Sequence, residues 1–386
     1  MTAAMGDPIY LDYNATTPVA PEVLDAMLPA LRDGWGNPSS AHAYGRRARQ
    51  AVERAREQLA ALLGCETDEV LFTSGGTESD NAAILGVADA LALRGRHVVI
   101  SAVEHAAVEQ ACRWLEGRGY AITRIAVDRQ GRVAAADVAA ALRPDTVLVS
   151  VLHAQNETGV LEPVAEIGAL ARERGVPFHT DAAQSVGKVA VDIRTLQVDL
   201  LTVAGHKLYA PQGVGALVIR RGTPFAPLLR GAGHEAGRRS GTENVAGIVG
   251  LGAACALAAL ELPERQAHLA ELRGRLARGL ERFIPDLVVH GSGAERLPNT
   301  LSVALPGTRA LDVAAQADGV AIAAGAACHS ARPHVSSVLR AMGVPDDLSL
   351  ATLRLTVGRP TTPDEIDRAV ESIGAAAAAC RGSGVR

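Results

Sequence analysis

The chain has 386 residues, 48% of them hydrophobic, and a formal net charge of −4 at pH 7. This length favours two domains, and this composition allows a large buried core. Because the net charge is negative and the basic residues are scattered, the sequence does not predict a nucleic-acid partner.

The middle of the chain, from residue 70 to residue 219, alternates short apolar runs with amphipathic segments. Apolar runs of this length predict strands, and the amphipathic segments predict helices. The predicted strands cover residues 70–72, 97–100, 147–152, 177–180, 200–203 and 215–219, and the predicted helices begin near residue 78 or cover 106–115 and 164–174. Because such alternation builds a mostly parallel sheet covered by helices on both faces, the sequence predicts an α/β fold.

A second unit is predicted after Pro263. Proline lacks a backbone N–H and clashes with the preceding turn, so Pro263 is expected to interrupt the long helical region that contains it. A charged helix follows, and then come further strands and helices. The last helix begins with a capping box at 362–365. The sequence thus predicts a large domain, 14–262, and a smaller α+β domain made of 1–13 and 263–386.

The cysteines and the termini indicate where the protein works. Five cysteines form no CxxC pair and leave one unpaired in any disulfide scheme. The N-terminal residues lack the basic and apolar segments that direct secretion. The most apolar stretch, 244–260, is shorter than the roughly 20 residues that a membrane span needs, and it predicts a buried helix. We therefore expect a reduced, cytoplasmic protein without a membrane partner.

Lysine is rare in this chain. Lys188 and Lys207 are two of the 38 basic residues, which leaves 36 arginines. Arginine cannot form a Schiff base, because its guanidinium group stays protonated and is not nucleophilic. Lys207 follows an apolar run in a glycine-containing turn, at the carboxyl end of a predicted parallel strand, which is where a Schiff-base lysine is expected. Lys188, by contrast, reads as an ordinary surface residue between a loop and a strand.

Three further strand ends carry polar residues that suit a phosphorylated cofactor. Gly75 and Gly76 lie in a turn before a helix, where backbone N–H groups bind a phosphate, although an ordinary strand–helix turn has the same pattern. Asp181 ends another strand and can keep a pyridine nitrogen protonated, or can cap the next helix. Asn156 follows a third strand and can bond a phenolic oxygen. Together with Lys207, these residues predict a pyridoxal phosphate site.

Two more residues bear on the reaction. Cys328 lies among small and polar residues that predict an exposed loop, and the neighbouring Arg332 would favour its thiolate. Its spacing from His329 and His334 matches no tetrahedral metal motif, so no metal site is expected.

Arg354 shares the polar face of an alternating strand with two threonines, where it either binds an amino-acid carboxylate or faces solvent.

Taken together, these motifs resemble those of the cysteine desulfurases, which belong to the class V aminotransferase group of fold-type I pyridoxal phosphate enzymes. The resemblance spans nearly the whole chain. The matching segments are 10–18, 36–40, 73–81, 104–105, 205–207, 239–242, Cys328 and 358–362. It implies a large domain with a mostly parallel seven-stranded sheet, beside a smaller α+β domain.

The resemblance also implies a role for each site residue. Lys207 binds the cofactor aldehyde, His105 stacks on the ring and Cys328 takes the sulfur of L-cysteine, leaving alanine. The implied cofactor-binding residues are Gly76, Thr77, Asn156, Asp181, Gln184, His206 and, from the other subunit of a homodimer, Thr242. The implied ligands of the substrate carboxylate are Asn14, Asn156 and Arg354. The sulfur would then pass to an acceptor protein such as an iron–sulfur scaffold.

Two departures from the family pattern leave alternatives open. Ala204 replaces a phosphate-binding serine that many desulfurases carry, so one hydroxyl contact is missing. The segment 325–330 and Asn14 resemble selenocysteine lyases of the same group, which makes L-selenocysteine the alternative substrate. An aminotransferase on the same fold is a further alternative, and it leaves Cys328 without a role.

Overall fold

The structure is a computed structural model that describes residues 7–324 and 335–382. Numbered in chain order, the described strands are β1 (Ile9–Tyr10), β2 (Val70–Thr73), β3 (His97–Ser101), β4 (Ala121–Ile125), β5 (Thr146–Ser150), β6 (Phe178–Asp181), β7 (Leu200–Ala204), β8 (Gly215–Ile219), β9 (Val288–Val289), β10 (Thr300–Ala304), β11 (Val320–Ala321), β12 (Ala323–Ala324) and β13 (Thr352–Thr356). The described α-helices are α1 (Pro21–Arg32), α2 (Ala43–Leu63), α3 (Gly76–Ala90), α4 (Ala106–Glu116), α5 (Ala135–Ala141), α6 (Val164–Glu173), α7 (Val245–Phe283), α8 (Ala310–Gln316), α9 (Ser337–Ala341), α10 (Asp346–Leu350) and α11 (Pro363–Gly382).

A seven-stranded sheet in the order β2-β8-β7-β6-β5-β3-β4 lies at the centre of the large unit. Strands β7, β6, β5, β3 and β4 pair in parallel, whereas β8 runs antiparallel to both β2 and β7. The predicted mostly parallel seven-stranded sheet is therefore confirmed. Because β7, β6, β5 and β3 run in the same direction, their carboxyl ends meet at one edge of the sheet.

Helices cover both faces of this sheet, which explains why apolar residues on both faces of its strands are buried. On one face, Ile84 of α3 and Val108 of α4 pack in a core with alternate strand residues such as Ile100. On the other face, Leu59 of α2 and Leu251 of α7 join a larger core that includes the remaining strand positions. Burial on both faces holds the sheet edge rigidly, and that edge carries the polar residues described below.

Helix α7 runs without a break from Val245 to Phe283, so the prediction that Pro263 interrupts it was wrong. The proline removes one backbone hydrogen bond, but side chains brace the same turn. Arg265 bonds Glu261 at 2.7 Å, and its guanidinium also donates to the carbonyl of Gly187. By length and composition α7 is apolar enough to cross a membrane, yet residues along it are buried in the protein core. A soluble core helix passes the same test of length and composition.

The smaller unit is built on a four-stranded sheet in the order β12-β13-β10-β9. Its core combines Leu353 and Leu355 of β13 with the C-terminal half of α7 and with α11. Strand β1 pairs with β11 beside this sheet, which brings the N-terminal segment to the same unit. The large core draws on α7 up to Ala258, and the smaller core draws on it from Leu269, so one helix is shared by both cores. The exact domain limits stay a prediction.

Candidate active site

The polar strand ends meet at one edge of the central sheet, as the parallel topology requires. Asp181 ends β6, and Lys207 lies in a turn of 3-10 helix, Gly205–Lys207, directly after β7. His105 lies just before α4, in the connection that follows β3, and Asn156 lies in the connection that follows β5. The charge of Lys207 influences the pKa of His105 and of a buried acid, Asp80. The sheet edge therefore brings the predicted amine, acid and imidazole together.

The predicted phosphate end of the site lies at the N-terminus of α3. This helix begins at Gly76 rather than near residue 78, and no side chain caps it at Gly75, whose φ is +150°. A Cβ atom on Gly76 would lie 3.3 Å from the side chain of Ala204, which places the end of β7 against this turn. Uncapped N–H groups and the helix dipole suit a phosphate dianion. Thr77, also predicted to bind phosphate, is exposed in this first turn.

An acidic cluster lies next to this cradle, and we define it as Asp80, Glu104 and Asp181. Asp181 is 8% exposed, and its Oδ1 accepts a hydrogen bond from the backbone of Ala183 at 2.8 Å. Glu104 Oε1 accepts bonds from Ser101 Oγ at 2.6 Å and from a backbone N–H at 3.0 Å. One oxygen of Asp80 and one of Glu104 are buried without a hydrogen-bond partner. The cluster thus contains two enclosed acid oxygens that no protein group bonds.

Burial controls the ionisation of this cluster. It raises the pKa of Asp80 well above its usual range, and the negative charge of Asp181 raises it further. Burial likewise raises the pKa of Glu104 to about 8. Burial therefore favours the neutral forms of Asp80 and Glu104 near Asp181, which limits charge repulsion in the cluster. No sequence pattern predicted a role for Asp80 or Glu104, although both lie in the matching segments 73–81 and 104–105.

His105 carries an imidazole suited to lie against a cationic ring. Its Nδ1 accepts the N–H of Ala107 at 3.2 Å, and burial lowers the pKa of the ring, against the opposing effect of Asp181. Ligand atoms of Asp80, His105 and Asp181 lie within 4.8 Å of one another, a spacing that a metal ion can also use. The sequence predicted no metal. A neutral imidazole and a carboxylate serve equally as the stacking and pairing groups of a protonated pyridine.

Lys188 is buried, and the prediction that it is an ordinary surface residue was wrong. It is 5% exposed, and its Nζ donates to Asn14 Oδ1 at 3.0 Å and to Gln184 Oε1 at 2.9 Å. Burial lowers its pKa well below the usual value, and the charges of Lys207 and Arg354 lower it further. Asn14 is 174 residues away along the chain, so no local pattern could indicate this contact.

The side chain of Asn14 is fully hydrogen-bonded within the protein. Its Nδ2 donates to the carbonyl of Asn156 at 3.2 Å and to Thr300 Oγ1 at 2.9 Å. Its Oδ1 accepts from Lys188 and from Asn299 Nδ2 at 3.0 Å. An amide has two donors and two lone pairs, so a substrate carboxylate would have to displace one of these bonds. This argues against the expected carboxylate contact of Asn14, which stays a prediction.

Gln184, predicted to lie near the phenolic oxygen of the cofactor, is buried beside Asn14. Its Nε2 donates to the main-chain carbonyl of Asn14 at 2.9 Å, and its Oε1 accepts from Lys188. We call Asn14, Gln184, Lys188 and Asn299 the amide cluster. Each of these side chains bonds another member or the backbone of the N-terminal segment, so the cluster fixes that segment beside the end of β6.

Arg354 on β13 is 2% exposed, so the alternative of a solvent-facing arginine was wrong. Its neighbours Leu353 and Leu355 point into the small core, which leaves Arg354 on the opposite face. Its Nη2 bonds Asp12 Oδ1 at 2.7 Å and its Nη1 bonds the carbonyl of Asn156 at 3.3 Å. A guanidinium has five N–H donors, and its Nε is buried without a partner, so donors remain for a carboxylate.

Two further predicted phosphate ligands flank the cradle. His206 Nδ1 lies 3.1 Å from Thr16 Oγ1, and burial lowers the pKa of the ring to about 4. Thr242 is exposed in the single chain. Its loop is fastened to the first turn of α3 by an ion pair between Arg239 and Glu78 at 2.8 Å. The predicted contact of Thr242 with a second subunit stays a prediction.

Cys328 lies outside the described residues, but described residues on either side of its segment border the site. On the N-terminal side, β12 pairs with β13, and Ala323 lies opposite Arg354. On the C-terminal side, Ser336 Oγ donates to Glu157 at 2.7 Å. Val338, Leu339 and Met342 pack with residues that follow β3 and β5. The described residues that flank residues 325–334 on both sides therefore lie next to Arg354 and the sheet edge.

The other cysteines do not offer a reactive thiol at this site. Burial raises the pKa of Cys65, Cys112 and Cys255 to about 12 in each case. Cys112 and Cys255 belong to hydrophobic cores, as predicted. Burial also raises the pKa of Cys380, on α11. All four cysteines in the described part of the chain therefore carry a protonated thiol at neutral pH.

A fold-type I arrangement with an amine, an acid and a phosphate cradle at one sheet edge defines an enzyme of the aminotransferase type. The family model described as aminotransferase class V matches residues 9–369, so the chain belongs to this family. Within it, the chain is 47% identical over 371 residues to cysteine desulfurase IscS of Anaeromyxobacter dehalogenans, covering 95% of this chain and 92% of that protein. It is 45% identical over 361 residues to cysteine desulfurase IscS of Dictyoglomus turgidum, covering 93% and 92%.

Solved structures give the same placement. A NifS-like protein superposes with a TM-score of 0.90 at 34% identity, covering 95% of this chain and 98% of that one. A structure described as SspA in complex with cysteine superposes with a TM-score of 0.81 at 34% identity, covering 90% and 98%. The fold predicted from the sequence is confirmed by these neighbours.

Proposed function

We propose that this protein is a pyridoxal phosphate-dependent cysteine desulfurase. It converts L-cysteine into L-alanine, holds the released sulfur as a persulfide on Cys328, and passes it to an acceptor protein such as an iron–sulfur scaffold. The observation that carries the proposal is the meeting of Lys207, Asp181 and the α3 N-terminus at one sheet edge, bordered by both ends of the Cys328 segment. The IscS relatives support the same activity.

The donor set of the site fits pyridoxal phosphate. The uncapped N-terminus of α3 suits the phosphate, and the carboxylate of Asp181 suits the ring nitrogen. Asp80 and Glu104, whose unpartnered oxygens are enclosed near Asp181, make the surroundings of this carboxylate polar rather than apolar. When bound, the cofactor supplies an aldehyde that captures amines and a ring that stores an electron pair. Lys207 would hold the aldehyde, and His105 would lie against the ring.

The remaining donors of Arg354 orient the substrate by its carboxylate. The guanidinium already bonds Asp12 and the carbonyl of Asn156, which fixes its plane before any substrate arrives. The substrate amine then faces Lys207, whose Nζ moves the proton of the substrate Cα. Burial of Arg354 excludes water from the ion pair and strengthens it.

Cys328 completes the reaction without an external oxidant. Its sulfur attacks the substrate sulfur, so an S–S bond forms as the Cβ–S bond breaks. The electron pair of the broken bond stays on the substrate, and a proton joins that carbon to give alanine. Cysteine plus the Cys328 thiol therefore equals alanine plus the Cys328 persulfide, with atoms and electrons balanced.

The protein would act as a homodimer in the reducing cytoplasm. Thr242 is exposed in the single chain and lies in the loop that Arg239 fastens to the phosphate cradle. That position is consistent with a contact to the phosphate site of a second copy. A reducing compartment suits the mechanism, because the Cys328 thiol has to remain free of disulfide bonds in order to attack the substrate sulfur.

The proposal is tested by incubating the holoprotein with L-cysteine and a reductant and measuring sulfide and alanine. Equal yields are expected, and Cys328→Ala should abolish both. Cys65→Ala is the matched control, because that half-buried thiol lies away from the site and should leave turnover unchanged. Alanine formed from L-selenocysteine but not from L-cysteine would replace the proposal by a selenocysteine lyase. A requirement for a keto acid would replace it by an aminotransferase.

A further inference from the structure

We infer that Lys188 is a positioning residue of the active site, which sets the orientation of the Gln184 side-chain amide so that its N–H group faces the cofactor. This inference rests on the proposed function. Two observations carry it. Lys188 Nζ donates to Gln184 Oε1 at 2.9 Å, and Gln184 Nε2 donates to the main-chain carbonyl of Asn14 at 2.9 Å.

The direction of these hydrogen bonds is determined by chemistry. A lysine amine with two acceptors in reach donates to both, and a main-chain carbonyl can only accept. The oxygen of Gln184 must therefore face Lys188, and its NH₂ must face the carbonyl of Asn14. The second N–H of that NH₂ group then points away from both partners. Without Lys188 the amide would be held only by the Asn14 carbonyl, so the side chain could pivot on that single bond and the direction of its second N–H would no longer be fixed.

The same amine anchors the N-terminal segment. Lys188 Nζ donates to Asn14 Oδ1 at 3.0 Å, and Asn14 in turn bonds Thr300 and the carbonyl of Asn156. That carbonyl also accepts a hydrogen bond from Arg354. One buried amine thus links the amide on the cofactor side, Gln184, to the guanidinium on the substrate side.

Both protonation states of Lys188 satisfy this arrangement, because a neutral amine still has two N–H groups for its two acceptors. The charged groups that influence Lys188 are Lys207 and Arg354, both positive. Those that interact with Lys207 include Asp80, His105 and His206. A substitution at position 188 therefore changes two things, namely the charge near Lys207 and the orientation of the Gln184 amide. The experiment has to separate these two effects.

Lys188→Met is the main variant, since methionine fills similar space without a donor. An amide N–H that donates to the phenolic oxygen of the cofactor stabilises the negative charge on that oxygen. It therefore lowers the pKa of the bound cofactor. Its loss should raise the pH at which the visible absorption of the bound cofactor titrates, by about 0.5 unit or more. We expect kcat/KM for L-cysteine to fall about tenfold, as for one lost orienting hydrogen bond.

A double-mutant cycle with Gln184→Ala separates orientation from charge. If Lys188 acts through Gln184, then Lys188→Met should change neither the titration nor kcat/KM further in the Gln184→Ala background. Full additivity of the two substitutions would overturn the inference, as would a titration of Lys188→Met that matches the wild type. Lys188→Leu, which also lacks a donor, provides the same cycle if the methionine variant fails to fold.

Val191→Ala is the matched control for a general packing defect. Val191 is buried in the same connection between β6 and β7 and belongs to the large core. Its truncation should lower the unfolding temperature without moving the cofactor titration. If Val191→Ala moves the titration as much as Lys188→Met, the inference is overturned. A wild-type protein that binds no pyridoxal phosphate at Lys207 would instead overturn the proposed function, which keeps the two failures distinct.

Discussion

The acidic cluster and the amide cluster lie at the same sheet edge, but they satisfy their polar groups in opposite ways. In the acidic cluster, Asp80 and Glu104 each keep one buried oxygen without a hydrogen-bond partner, and burial raises the pKa of both. In the amide cluster, all four polar positions of the Asn14 side chain bond another protein group. One cluster keeps buried acid oxygens unbonded, and the other holds the N-terminal segment in place.

This difference separates two tasks of an active site. Groups that stabilise charge on a ligand must keep binding capacity for that ligand, even though burying them unpaired destabilises the fold. Groups that position other residues work best when every bond is already made within the protein. We therefore expect substitutions in the acidic cluster to alter chemistry and pH dependence, and substitutions around the amide cluster to alter binding and geometry.

The largest effect is expected for Asp181→Asn. This change keeps the shape and the bond to Ala183 but removes the charge that would keep the ring nitrogen protonated. Without it the ring stores an electron pair poorly, and kcat for L-cysteine should fall by about 10³-fold or more, roughly 4 kcal/mol. Single-turnover rates and the absorption spectrum of the bound cofactor measure this.

Asp80→Asn is the control within the same cluster. Burial raises the pKa of Asp80 well above its usual range and so favours the neutral carboxyl, which an asparagine mimics. The substitution should thus reduce kcat by less than tenfold. An Asp80→Asn effect as large as that of Asp181→Asn would show that Asp80 bears the charge, and the comparison of the two clusters would have to be redrawn.

Arg354→Lys should have the next largest effect. Lysine keeps the positive charge but loses the planar fork that can bond Asp12, the carbonyl of Asn156 and a carboxylate together. We expect kcat/KM to fall about 100-fold, mainly through KM. Arg275→Lys is the control, because Arg275 forms an exposed ion pair with Asp367 away from the site. A kcat/KM of Arg354→Lys within a few fold of the wild type would exclude Arg354 as the carboxylate ligand.

Glu104→Gln should have the smallest effect, and it should appear in stability. Burial raises the pKa of Glu104 from 4.5 to about 8, so the folded protein keeps a proton that the unfolded chain releases above pH 4.5. This contribution to stability is present below pH 4.5 and is lost as the pH rises toward 8. Glutamine cannot release a proton, so the variant should gain roughly 3 to 4 kcal/mol of unfolding free energy over the wild type between pH 5 and pH 8.

Urea unfolding of the cofactor-free protein at the two pH values measures this difference. Glu166→Gln serves as the matched control, because Glu166 lies on the solvent side of α6, with 68% of its side chain exposed. Glu162, whose pKa burial also raises to about 8, titrates alike in the wild type and in both variants. Parallel pH profiles for wild type and Glu104→Gln would show that Glu104 is ionised in the fold.

The sequence by itself determined the α/β fold and the strand ends, and it predicted the residues of the cofactor site. Apolar runs of strand length, glycines before α3 and the position of Lys207 after β7 are local patterns, and parallel strands bring their carboxyl ends to one edge. The resemblance to a known family then predicted the roles of Asp181 and His105. These features follow from spacing within a few residues, so the sequence is enough to predict them.

Only the tertiary structure decided the states of the buried polar groups. The hydrogen-bond partners of Lys188 are residues 14 and 184. The carbonyl that accepts a hydrogen bond from Arg265, in the α7 turn after Pro263, belongs to residue 187. Whether Asp80 and Glu104 hold a proton depends on how completely the sheet and helices enclose them. Such contacts and burial arise between segments far apart in the chain, so local sequence patterns do not predict them.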